Sequence, residues 1–197
     1  MEKSGIKASF FFTGDFFRQS ANRALVKSLV SEGHYIGAHS DRHLLYCDWK
    51  NRDSLFVSKD SFLTDLQKNY AELNRFGIGK KQARFFLPPY EWYNDSIASW
   101  TRQLGFQLVG YTPGTLSHAD YTTPGEGNYR TSETIFRSII DYEKNHSSGL
   151  NGFILLVHIG TDPRRTDKFY HRLPEMIGAL RGKGYRFRRI DEIIGAD

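Results

Sequence analysis

The stretch Ile6–Thr13, Ile-Lys-Ala-Ser-Phe-Phe-Phe-Thr, restricts the fold more than any other part of the chain. It is rich in β-formers and nearly continuous in apolar character, which suits a strand covered on both faces. Such strands belong to parallel sheets, whose members are joined by helical crossovers. The rest of the sequence supplies both parts in alternation. Strand-like runs recur at Tyr35–Ala38, Ala83–Leu87, Phe106–Tyr111, Phe153–Val157 and Tyr185–Arg189. Helical patterns separate them. In Ala21–Val30, Leu25 and Leu29 share a face with Val26 and Val30 beside them. In Ser61–Arg75 the stripe is Phe62, Leu66, Tyr70 and Leu73. Ile97, Trp100 and Leu104 make the next face, and Thr134–Tyr142 turns Ile135, Ile139 and Ile140 inward. The last helix faces inward with Leu173, Met176, Ile177 and Leu180. This alternation predicts the α/β class with a parallel sheet, and leaves open whether the sheet closes into a barrel.

A length of 197 residues predicts one domain over 1–197. The net charge of +5 allows weak attraction to acidic polymers, but the basic residues are scattered, so no nucleic-acid interface is expected. Arg186, Arg188 and Arg189 alternate with Phe187 and Ile190, as on a strand with one wet face. The one cysteine, Cys47, excludes an internal disulfide. No apolar run reaches transmembrane length, and no signal-peptide pattern precedes the first strand. Oligomeric state is not legible. Met1–Gly5 has the character of a helix tail stopped at Gly5. Asp15 is placed to cap a helix after the first strand, and Asp191 to cap a final turn.

Aromatic side chains make up 15% of the chain. A bulky core accounts for most of them. The clusters Tyr90, Trp92, Tyr93 and Tyr46, Trp49 also suit a cleft where rings lie against sugar faces. Two loops are expected near such a cleft: Leu44–Val57, and the Pro- and Gly-rich Thr112–Tyr129.

His39 and His43 stand four apart directly after the Tyr35–Ala38 run. If helix begins at His39, the two imidazoles share a face, with Cβ atoms about 5–6 Å apart. Such a pair can bind one divalent ion, most readily zinc, with cobalt or nickel as alternatives, leaving positions for a carboxylate and a water. His158 ends an apolar run; the ordinary reading is a core histidine.

The order and spacing of several segments resemble a known family. Gly5–Gly14, then Glu32–His43, Phe86-Leu87-Pro88-Pro89-Tyr90 and Ile154-Leu155-Leu156-Val157-His158, resemble the polysaccharide deacetylases of the NodB type, carbohydrate esterase family 4. The likeness extends from about Gly5 to Ile194. It implies a distorted (β/α) barrel with fewer than eight strands, acting as a metal-dependent hydrolase on an acetylated glycan, secreted, periplasmic or in the cell envelope. It makes His39 and His43 metal ligands, His158 the general acid, and the Tyr90 backbone N–H an oxyanion donor. Pro89, Trp92 and Tyr93 would then touch substrate. Asp120-Tyr121 is the nearest match to the family's Asp-Trp motif, with Asp120 a candidate partner of His158. Two departures stand out. The family's Asp-Asp pair, source of the base and a third ligand, occurs nowhere, so the chain is expected to lack its first strand–helix unit. Leu87 stands where the family has arginine, and Arg84 points the other way on an extended strand. A catalytically impaired, carbohydrate-binding pseudoenzyme is therefore the alternative.

Overall fold

The computed structural model describes residues 5–194; the helix tail expected at Met1–Gly5 lies almost wholly outside them. The chain divides into two compact units. One comprises Lys7–Gly110 with the described part of Phe187–Asp197; the other comprises Tyr111–Arg186 with the described part of Met1–Ile6.

The first unit is built on four parallel strands in the order β1 (Ser9–Phe12), β2 (Tyr35–Ala38), β3 (Phe85–Phe86), β4 (Gln107–Leu108). The fold is thus α/β with a parallel sheet, as the alternation predicts, and the sheet is open, not closed into a barrel. Its register aligns Phe12 with Ala38, Ala38 with Phe86, and Phe86 with Leu108. The four strands therefore end in one row, and the residues that follow them share a rim.

Helices cover the sheet for the reasons their sequences suggest. In α3 (Lys59–Asn74), Ser58 caps the start by accepting the Ser61 N–H. Phe62, Leu66, Tyr70 and Leu73 are all buried, each contributing roughly 1.5–3 kcal/mol through burial. In α2 (Arg23–Ser31) the inward face is Val26 and Leu29, whereas Leu25 and Val30 are exposed. The buried pair is spaced i, i+3, and Leu25 and Val30 fall on either side of it around the helix. The short α1 (Gly14–Arg18) is capped by Thr13, whose hydroxyl accepts the Phe16 N–H; Asp15 instead pairs with Arg18. Ile97 is the inward anchor of α4 (Asp95–Gln103).

The second unit holds α5 (Ser132–Asn145), with Ile135 and Ile139 buried and Ile140 partly so, and α6 (Leu173–Gly182), with Met176, Ile177 and Leu180 buried. Thr112–Tyr129 is the expected long connection, with an isolated bridge between Pro113 and Thr115 and a 3-10 turn at Ser117–Tyr121. Phe153–Val157 and Tyr185–Arg189 form no strand and belong to no ladder among the described residues, and Phe153–Val157 is only partly buried. Apolar β-formers favour an extended, buried chain, while pairing needs a neighbour in register, which composition cannot supply. The alternation of exposed Arg186 and Arg188 with partly buried Phe187 and Arg189 survives without pairing. In the final turn, α7 (Ile190–Ile193), the capping carboxylate is that of Glu192, which accepts the Arg189 N–H; Asp191 pairs with the Arg189 guanidinium at 2.7 Å.

Candidate active site

The first cluster forms on the sheet rim of the first unit. Because Ala38 and Phe86 are register partners, the next residues, His39 and Leu87, are neighbours. The His39 ring Nδ1 lies 2.8 Å from the Leu87 carbonyl. A carbonyl only accepts, so Nδ1 carries the proton and Nε2 is the nitrogen with a lone pair to offer. His43 comes back over His39, with ring centroids 4.8 Å apart.

The convergence has a different origin from the helix spacing. His39–His43 is an irregular loop in which Ser40 (φ 67°) and His43 (φ 55°) are left-handed. Side chains accept most of the N–H groups along this loop, and the His39 N–H is shared with the Phe12 carbonyl. Asn69 accepts the His39 N–H, Asp65 accepts the N–H groups of Asp41 and Arg42, and the Ser40 hydroxyl accepts that of His43. The start of α1 closes the loop from the other side: Gly14 and Asp15 donate to the carbonyls of Ser40 and Asp41. Arg18 completes this with a 2.6 Å bond to the buried Asp41, and the bonds to Asp41 and Asp15 hold its guanidinium above the usual range. A Cβ on Gly14 would meet the Asp41 carboxylate at 1.8 Å, so any other residue there must displace it.

Asp65, Asn69, Arg18 and Asp41 were not singled out by sequence reasoning. The signal was available for two of them. Asp65 and Asn69 lie on the buried face of α3 beside Leu66 and Tyr70, where a polar residue needs a partner.

Beyond His43 runs an aromatic wall. The Tyr90 ring lies 4.5 Å from that of His43, Trp49 lies 5.4 Å from Tyr90, and Trp92 lies 5.7 Å from Trp49. Trp49 and Tyr90 are exposed. Arg52 stacks 4.2 Å from Trp92 and also lies over Tyr93, and the Trp92 indole donates to the Asp48 carbonyl. Pro88 and Pro89 are buried, and Tyr90 (φ 60°) and Glu91 (φ 50°) are consecutive left-handed residues. Each such residue costs roughly 1–2 kcal/mol, held here by surrounding contacts. Tyr46 does not join the wall; it is fully buried in the core, edge-on to Phe62. Arg84 stays away from this rim, stacking on Phe85 and bonding the Ile194 carbonyl.

The second cluster belongs to the second unit. Asp120, 1% exposed, accepts both the His158 backbone N–H at 2.9 Å and the His158 ring Nδ1–H at 2.7 Å. The Tyr121 ring stands edge-on to that of His158. His118 stacks on Tyr111, and burial, reinforced by the charge of His158, lowers its pKa. The ordinary core-histidine reading of His158 therefore does not hold: its ring is bound to a carboxylate and partly exposed. A carboxylate on Nδ1 fixes the imidazole tautomer, the arrangement that lets the other nitrogen exchange a proton.

Among the described residues no group of three or more His, Cys, Asp or Glu side chains is gathered as a metal site. The donor chemistry of His39 and His43 suits a borderline metal such as zinc, but the pair supplies two ligands where catalytic zinc takes three from protein.

Known proteins place these features in context. A Bacillus cereus peptidoglycan-N-acetylglucosamine deacetylase is 28% identical over 188 residues, covering 95% of this chain and 75% of that protein. The chain spans between 58% and 75% of the length of the curated relatives it matches. A Clostridium thermocellum family 4 acetyl xylan esterase, solved with a cobalt ion, superposes with a TM-score of 0.71 at 20% identity, covering 98% of this chain and 80% of that one. A Bacillus anthracis pseudoenzyme of carbohydrate esterase family 4 has the same TM-score of 0.71 at 19% identity, over 98% of this chain and 57% of its own. These two share the fold. The family model for polysaccharide deacetylase matches residues 1–109, more than half of the sequence, and the chain belongs to that family.

Proposed function

We propose that this chain is a metal-dependent hydrolase that removes acetyl groups from a polysaccharide or N-acetylated glycan. The observation that carries the reading is the meeting of His39 and His43 at the sheet rim, 4.8 Å between ring centroids, with the His39 tautomer set by Leu87. The pair would hold a divalent ion, zinc first and cobalt or nickel next. Such an ion polarises an acyl carbonyl and lowers the pKa of its bound water to about 7.

The remaining roles fall to the chain itself. His158 donates Nδ1–H to Asp120, so Nε2 is the nitrogen from which the imidazolium gives a proton to the departing amine or alcohol, leaving the neutral ring; Asp120 steadies the imidazolium before that step. The backbone N–H of Tyr90, presented by the left-handed turn, is the candidate oxyanion donor. Trp49, Tyr90 and Trp92 offer ring faces to sugar residues, with Pro89 and Tyr93 beside them. The curated relatives named for peptidoglycan favour an acetylated wall glycan as substrate, and with it action in the cell envelope or outside the cell.

With two metal ligands, turnover by this chain is expected to be low. The test is acetate release from chitin oligomers, acetylated xylan and peptidoglycan with zinc or cobalt added. Release that needs the metal and is abolished by His39→Ala supports the hydrolase. A second reading, a glycan-binding pseudoenzyme of the same fold, is favoured by Leu87: its side chain is buried where the family carries arginine. Binding of those glycans without acetate release, unchanged by metal, supports it.

A further inference from the structure

The side chain of Arg165 is fully buried, with 0% exposure. Burying a guanidinium carries a desolvation penalty that is ordinarily offset by a carboxylate. Among the described residues the nearby Asp167 carboxylate feels the Arg165 charge but makes no direct ion pair with it, and the Arg165 Nε has no hydrogen-bond partner. Instead, one Nη donates to the Thr122 carbonyl at 2.8 Å and the other to the Arg130 carbonyl at 3.0 Å, while the group lies 5.0 Å from the centre of the Tyr129 ring. A leucine or methionine would fill that space without the penalty. What only the planar fork supplies is two donors aimed at two separate carbonyls.

Those carbonyls bracket Thr122–Arg130, a Pro- and Gly-bearing stretch without regular structure. Thr122 follows directly after the 3-10 turn Ser117–Tyr121, which carries Asp120. Arg165 itself follows His158 along the chain, on a segment stiffened by Lys168, whose ammonium donates to Thr161 and Asp162. The same two segments are therefore joined twice, at Asp120–His158 and at Thr122–Arg165. Asp167 adds a third tie, accepting the Ser132 N–H at the loop's far end.

We propose that Arg165 is a positioning residue for the Asp120–His158 pair: its clamp on Thr122 and Arg130 keeps the Asp120 carboxylate on His158 Nδ1, so that Nε2 remains the proton-exchanging nitrogen. The proposal rests on the reading of His158 as the acid, but its test does not use turnover. Histidine-labelled protein is followed by nitrogen NMR of the His158 ring, with exchange of the His158 amide, which also donates to Asp120. In the unmodified protein the neutral ring is expected as the Nδ1–H tautomer. Arg165→Met, which keeps the volume and removes the fork, is expected to give mixed tautomers and to speed His158 amide exchange about tenfold, the loss of one or two buried hydrogen bonds. Arg165→Lys, able to reach one carbonyl, should fall between. An unchanged ring tautomer and amide in both variants would overturn the proposal. If neither variant folds, native-state exchange of the unmodified protein decides. Opening of the His158 and Arg165 amides in one event supports the clamp, and independent opening refutes it. Absence of deacetylation in a protein that passes these tests would count against the hydrolase reading alone.

Discussion

Replacing Asp65 with alanine should loosen the His39–His43 loop more than it disturbs the helix that carries Asp65. The carboxylate accepts the Asp41 N–H at 3.0 Å and the Arg42 N–H at 3.1 Å. The first bond is buried and made to a charged group, a class worth about 1.5–3 kcal/mol. The second is only partly buried, so water can replace the lost acceptor, and about 0.5–1.5 kcal/mol is a fair figure. Relief from burying the carboxylate offsets part of the sum, leaving a destabilisation of about 2–4 kcal/mol. Asp65→Asn keeps one acceptor and turns an amide N–H₂ towards the other donor, so about half the loss is expected. Urea unfolding would read these values as shifts in midpoint at constant slope, with exposed Gln67→Ala on the same helix as a control staying within about 0.5 kcal/mol. In parallel, cobalt or zinc affinity should fall in Asp65→Ala, since the histidines lose their support. A destabilisation below about 1 kcal/mol, or the same loss in the control, would refute the idea that this carboxylate organises the loop.

Gly14→Ala forces its new methyl against the Asp41 carboxylate and should lower stability by about 1–3 kcal/mol in thermal unfolding, with an unchanged melting curve as the contrary result. For Asp167, burial alone would raise the carboxyl, but the Ser132 N–H and hydroxyl, the nearby Arg165 charge and the Tyr129 hydroxyl together bring it below the usual range. A depressed carboxyl stabilises the fold above its unfolded pKa of about 3.9 and ceases to as pH falls through the folded value. Asp167→Asn should therefore flatten the acid limb of stability against pH; parallel limbs in the two proteins would contradict this.

Parts of the first unit could be read from sequence because local pattern and burial agree there; β1 is an exception, since Ser9, Phe10 and Phe11 are only partly buried where cover on both faces is expected. Tyr35–Ala38 is a strand with the expected bounds, and the stripe Phe62, Leu66, Tyr70, Leu73 is the buried face of α3. The histidine pair meets, yet the reason differs from the one its spacing suggests. Left-handed Ser40 and the acceptors Asp65 and Asn69 do the work, and they lie about 25 or more residues away in sequence, or in a conformation that no periodicity encodes. Phe153–Val157 and Tyr185–Arg189 have strand composition but join no ladder among the described residues, because pairing is a property of two segments and composition of one. Asp120 could be proposed for His158 because Asp120-Tyr121 is the nearest match to the family's Asp-Trp motif, whereas Arg165 could not, since a buried arginine looks like any surface arginine until its carbonyls are located.

Leu87 carries a lesson about how such a site would be mapped by mutagenesis. An alanine or methionine scan would register its side chain as an ordinary core residue and stop there. Yet its service to His39 is performed by the carbonyl oxygen, which every amino acid possesses. That contact is silent to side-chain substitution, so residue 87 can drift through sequence space without disturbing the tautomer of His39, provided β3 keeps its register. Only chemistry that edits the main chain, or an insertion that slides β3 by one residue against β2, would expose the link.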